Sequence, residues 1–165
     1  MPSTEMRILK KIMKSQTLLE WKTLKDAMTL TLPVKDFREI ICDCVIRKPG
    51  ESRGMKLRAL WDTGCTNTHI AQRVVDALKL EQCGVGRSIS VDHYSVDKAY
   101  RADIILPVNQ GINNLMVYAS PLPEIDVLIG LDIIKHCDFS ISNDGKGNCI
   151  CSIRVPSRGV IDYTE

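Results

Sequence analysis

At 165 residues the chain has room for one domain of ordinary size with a short appendage, and 44% hydrophobic against 25% charged residues is a globular balance, not a disordered one. A formal net charge of +2 without a long basic run excludes a nucleic-acid-binding stripe, and the apolar stretches are strand-sized, so no membrane span is expected. Lys10, Lys11 and Lys14 interrupt any apolar core that a signal peptide would need; the expectation is a cytoplasmic protein whose seven cysteines are reduced thiols, their odd count arguing against a closed disulfide framework.

Residues 5–28 read as helical. Met6, Leu9, Ile12 and Met13 recur at spacings of three and four, Thr17-Leu18-Leu19-Glu20 has the form of a capping box, and Trp21, Leu24 and Met28 fall on one face. Residues 1–30 are therefore expected to form a helical extension. Its lysines and Arg7 read as a solvated face over a packed stripe, in preference to a membrane-binding one. After Pro33 the texture becomes β. A strand over residues 38–46 ends at Pro49-Gly50, and a second over 57–61 runs into Asp62-Thr63-Gly64.

Residues 70–80 read as a helix on Ile70, Val74 and Leu78, with Gly84 and Gly86 standing where a C-cap would fall. Beyond it, 89–91 and 102–106 flank a polar hairpin tip, 114–119 and 126–130 are further strands, and 131–137 suits a short helix. Asn143-Asp144-Gly145-Lys146-Gly147 is a hairpin turn between strands over 139–141 and 150–154. Many short strands with one substantial helix predict a mainly β barrel over residues 31–158, followed by a tail over 159–165.

The stretch that carries chemistry is Trp61-Asp62-Thr63-Gly64-Cys65-Thr66-Asn67-Thr68. A carboxylate at the end of an apolar strand is partly desolvated, which favours its holding a proton. Thr63 can fix the loop by hydrogen bonding, and Gly64 permits close backbone approach. Alone, Asp-Thr-Gly is also a good turn sequence. A second element in the C-terminal third, Leu128-Ile129-Gly130 between Asp126 and Asp132, raises its significance.

In order and separation these two motifs resemble those of the retropepsin-like aspartic proteases, with the 70–80 helix similar to that of non-viral members. The resemblance spans roughly residues 32–157. It implies an acid-protease barrel and an aspartic endopeptidase that cuts extended peptides without a cofactor. Asp62, Thr63 and Gly64 are the implied catalytic residues. The implied substrate-binding residues are Cys65, Thr66 and Asn67, with His93, Tyr94 and Ser95 at the flap tip, and Leu128, Ile129 and Gly130 form the structural glycine motif. The sequence departs from the family at Trp61, where a smaller aliphatic is common, at Cys65, usually Ala or Ser, at Thr66, acidic in viral members, and in a flap tip without glycine.

The chemistry needs two carboxylates sharing a proton, one activating a water and the other protonating the scissile carbonyl. The chain has a single Asp-Thr-Gly, so the second Asp62 has to come from a second copy. The expected partners are thus a homodimer mate and a polypeptide substrate, with no nucleic acid and no membrane. The competing reading is a non-catalytic dimeric peptide-binding or scaffold module of the same fold.

Other residues have plainer readings. Cys42-Asp43-Cys44 and Cys149-Ile150-Cys151 place paired sulfurs on one strand face, a zinc site only if the strands were neighbours; burial is favoured, and no metal is expected. His69 reads as a capping-region residue and His136 as structural. Asp126 and Asp132 read as caps or ion-pair partners. His93 and Tyr94 touch substrate only if they form the flap tip.

Overall fold

The computed structural model describes residues 20–89 and 94–164. The part of the expected 5–28 helix that precedes residue 20, and the flap-tip residue His93, therefore lie outside the described residues.

Mainly β architecture is what the alternating apolar runs predict, and it is what forms. One sheet has four antiparallel strands in the order β1-β2-β11-β10, with β1 at Lys22–Leu24, β2 at Ala27–Pro33, β10 at Asp138–Asn143 and β11 at Asn148–Arg154. The larger sheet comprises β3 (Ile41–Arg47), β4 (Gly54–Trp61), β5 (His69–Ala71), β6 (Gln82–Ile89), β7 (Tyr94–Ile105), β8 (Gly111–Ser120) and β9 (Val127–Ile129). Its order is β3-β4-β9-β5-β8-β7-β6, and β3 also pairs with β7, so the ladder closes on itself with β6 outside the ring. Closure removes the open edges that a flat sheet would expose. Among the described residues the α-helices are α1 (Gln72–Leu78) and α2 (Leu131–Ile134).

The core lies inside the ring and between the two sheets. Ile46, Ala59, Ile70, Ile104, Val117, Val127 and Ile129 have no exposed surface, and Met28, Leu30, Cys151 and Ile153 close it from the smaller sheet. Trp61 links the two layers beneath Asp62. Its ring stands 5.9 Å from that of Phe139 on β10, and its indole N–H donates to Cys42 Sγ at 3.1 Å. The bulky residue at a usually aliphatic position thus fills the inter-sheet space and finds a partner for its polar edge.

Three expectations are corrected. Residues 22–24 and 27–33 are strands, not the end of a helix, and β2 straddles the expected boundary at residue 30. Leu24 is 76% exposed, so the Trp21/Leu24/Met28 spacing marks no buried face; the period-2 run Met28, Leu30, Leu32 decides the structure, paired along its length with β11. The helix after the Asp-Thr-Gly loop begins at Gln72, because Ile70 and Ala71 are held in β5 between β8 and β9. It ends on Lys79 in the left-handed region, φ 49°, whereas Gly84 and Gly86 lie within β6. The Asn143–Gly147 hairpin forms as expected, with Gly145 and Gly147 at positive φ.

Candidate active site

Strand β4 carries the chain to Asp62. Strand alternation buries Trp61 and turns Leu60 and Asp62 to the opposite, half-exposed face. The Asp62 amide donates to Ile129 O at 2.9 Å, extending the parallel β4–β9 ladder by one bond. Its carboxylate Oδ1 accepts the Gly64 amide at 2.8 Å, and its carbonyl accepts the Cys65 amide at 3.2 Å. The Asp62-Thr63-Gly64 turn is thereby wound around its own acid. Thr63 and Gly64 are exposed at its tip, and a Cβ on Gly64 would sit 3.1 Å from Asp62 Oδ1.

The next four residues clamp the loop onto the glycine motif. Gly130 packs so closely under the loop that a Cβ there would lie 2.5 Å from Asn67 O, 2.6 Å from Asn67 C and 2.9 Å from Cys65 O. Its backbone, φ −96° and ψ −173°, is ordinary extended chain. Proximity, not dihedral freedom, therefore demands glycine. The first amides of α2 would otherwise be orphans; those of Leu131 and Asp132 donate to Cys65 O at 2.8 Å and Thr66 O at 3.0 Å.

Asp132 completes the clamp. Its Oδ2 accepts the Thr68 amide at 2.9 Å, and its Oδ1 accepts the Thr68 hydroxyl at 2.7 Å and the Ile133 amide at 3.0 Å. The fully buried Thr68 hydroxyl in turn accepts the Gly130 amide at 3.2 Å. Thr68 and Asp132 thus bind loop and glycine strand through charge-assisted bonds in a dry setting. Read from the sequence, Asp132 is a cap or ion-pair partner; in the fold it holds the site together.

The residues expected to bind substrate divide. Cys65, Thr66 and Asn67 spend their backbone on the clamp, and the Cys65 thiol donates to Asn67 O at 3.1 Å. Burial raises that thiol's pKa. Ser95 faces the interior side of the β6–β7 hairpin, donating to Asp97 Oδ1 at 3.0 Å. Tyr94 points to the other face, 56% exposed beside Ile89 and Val96.

His69 is not a surface capping residue. It is 8% exposed, shares a 2.6 Å hydrogen bond between Nδ1 and Ser120 Oγ, and lies with its ring 5.7 Å from that of Tyr118. Burial lowers its pKa, partly offset by Asp97 and Asp132. Asp126 accepts the Arg58 amide and the Arg73 guanidinium, as expected of a structural carboxylate.

The C-x-C pairs sit in different sheets. Burial pushes Cys42 and Cys151 up to about 12, and Cys44 is raised further still. All seven cysteines are free, and among the described residues no group of three or more His, Cys, Asp or Glu is disposed to hold a metal. Among those residues, too, no helix is long and apolar enough to cross a membrane.

No protein-family model matches the sequence, and no curated protein matches it significantly. Solved structures do. A retropepsin-like aspartic protease from Rickettsia conorii aligns at TM-score 0.47 and 9% identity, covering 82% of this chain and 100% of that one. Simian foamy virus protease aligns at 0.43 and 17% identity, covering 58% and 92%. EIAV protease in complex with an inhibitor aligns at 0.46 and 14% identity, covering 63% and 92%. These solved structures, to which this chain is similar, are retropepsin-like aspartic proteases.

Proposed function

We propose that the chain is an aspartic endopeptidase that works as a homodimer, hydrolysing extended peptides with a water activated between two Asp62 carboxylates. One observation carries the reading: Asp62 stands partly exposed at the end of a strand whose other face is buried, in a tight turn held from below by Gly130, Thr68 and Asp132. A carboxylate pre-positioned by a turn that is hydrogen-bonded to its own side chain and to the glycine strand is what general acid–base chemistry needs. Thr63 and Gly64, exposed at the tip, leave the turn free to meet its symmetry mate.

In the pair, like charges so close share one proton, and the apparent pKa values belong to the couple. The ionised carboxylate takes a proton from the water as its oxygen attacks the scissile carbonyl carbon. The protonated carboxyl gives its proton to the carbonyl oxygen; on collapse of the gem-diol the first carboxyl passes the proton it took from water to the leaving nitrogen, the C–N bond breaks, and the second carboxylate recovers a proton from a diol hydroxyl. The hydrolysis balances with water as the sole co-reactant.

The test is cleavage of a diverse peptide mixture, read by mass spectrometry from pH 4 to 7, for the native chain and Asp62→Asn. Cuts that need Asp62 are the expected result. If both proteins are folded, dimeric and silent, the reading fails and a peptide-binding module takes its place.

A further inference from the structure

The register of the larger sheet places four side chains in a row across adjacent strands on the face that Asp62 shares. Leu60 pairs with Leu128, Leu128 with His69, and His69 with Tyr118, and directly paired residues share a face. The row changes character along its length. Leu60 and Leu128, nearest Asp62, are half-exposed and apolar. His69 and Tyr118 bring an imidazole and a phenol, with the Ser120 hydroxyl bonded to the imidazole.

The β6–β7 hairpin meets the polar end. Tyr118 lies against Gly86 so tightly that a Cβ there would come within 2.2 Å of the ring, and Gly86 pairs directly with Asp97. Asp97 therefore stands on the same face of the hairpin as this contact, close enough to His69 to act on it electrostatically. Its carboxylate is held by the hydroxyls of Ser88 and Ser95, both neutral. The neighbouring cations Arg87 and Lys98 alternate to the opposite face. The other acid near His69, Asp132, is committed to Thr68. Among the described residues of its own hairpin, then, no lysine or arginine faces this anion at the polar end of the row.

We infer that the site reads its peptide at two places: an apolar side chain over Leu60 and Leu128 beside Asp62, and a lysine or arginine side chain over His69 and Tyr118, held by Asp97. Leu128 and Tyr118 lie two strands apart, roughly 10 Å, which an extended peptide covers in about three residues. The basic residue therefore falls two or four positions from the apolar one, where alternation returns a side chain to the same face. The inference rests on the peptidase reading for which bond is cut, but not for which peptide is held.

The experiment uses fluorescein-labelled decapeptides with a central apolar pair, in which Lys, Gln or Glu replaces each other position in turn. Binding is measured by anisotropy on full-length Asp62→Asn, and cleavage by mass spectrometry on the native chain. At one position the Lys peptide binds about tenfold more tightly than the Gln peptide, as a hydrogen bond to a charged group supplies. Asp97→Asn removes that ratio, Asp97→Glu retains it and Asp97→Lys transfers the preference to Glu. If Asp97→Asn fails to fold, the native chain's own Lys-to-Gln cleavage ratio and its loss at high salt carry the test. Equal binding of Lys and Gln peptides at every position overturns the pocket. Cleavage without Lys preference removes the pocket and leaves the peptidase, whereas Lys-selective binding without any cleavage leaves the pocket and removes the peptidase.

Discussion

The bond between Thr68 and Asp132 offers the sharpest test of how the site is held. Thr68→Val keeps the shape of the side chain and deletes the hydroxyl. The 2.7 Å bond to the Asp132 carboxylate is lost, and the buried Gly130 amide that the hydroxyl accepted is left without that partner. A hydrogen bond to a charged group contributes about 1.5–3 kcal/mol and an orphaned buried donor costs about 1–3 kcal/mol. Asp132 retains the Thr68 and Ile133 amides, so its charge is not stranded. The expected loss is therefore about 3 kcal/mol. Thr68→Ser, which keeps the hydroxyl and loses one buried methyl, costs about 1 kcal/mol. Urea unfolding at one fixed protein concentration measures both, since the stability of the proposed dimer would depend on concentration. Thr68→Val within 0.5 kcal/mol of the native chain, or Thr68→Ser as damaging as Thr68→Val, refutes the reasoning.

Gly130→Ala places a methyl against the backbone of Asn67 and Cys65, which no rotamer change relieves. It is expected to cost about 1–3 kcal/mol by overpacking and to lower peptide cleavage further than stability, because the displaced backbone carries Asp62. Denaturant midpoints and cleavage rates on the same preparation separate the two effects. Thiol labelling of the native protein, followed by mass spectrometry, modifies exposed Cys83 first and leaves Cys42, Cys44 and Cys151 unmodified until the chain unfolds, because burial keeps the last three protonated. His69 titrates lower in the fold than its ordinary value of 6.5. As pH falls below 6.5 the unfolded chain takes up a proton first, so this stability is present above 6.5 and is lost as pH falls through the lowered folded value. His69→Gln should flatten the difference in unfolding midpoint between pH 7.5 and pH 5.5; an unchanged difference contradicts this account of His69.

The legible parts of the site are those written locally in the chain. An acid at the end of an apolar strand followed by Thr-Gly, and two aliphatics followed by Gly, each announce a strand end and a close approach within a few residues. The clamp between them was not legible, because Thr68 and Asp132 are 64 residues apart and either alone is an ordinary cap residue. Residues 21–32 illustrate how two periods can coexist: Trp21, Leu24 and Met28 fit 3.6, whereas Met28, Leu30 and Leu32 fit 2, and pairing with β11 selects the second. Gly86 serves no helix end; it makes room for the ring of Tyr118, a contact between strands that no local pattern encodes. Tyr94 and Ser95, by contrast, are separable from the sequence alone, since adjacent strand residues face opposite sides.

Equal amounts of native and Asp62→Asn chains, mixed and left to exchange subunits, test the central claim most directly. If two Asp62 carboxylates form one active site, cleavage per native chain falls to about half, because only native–native pairs hold both acids. Cleavage per native chain that is unaffected by the variant, or an Asp62→Asn protein that cuts as fast as the native one, contradicts a shared Asp62 site.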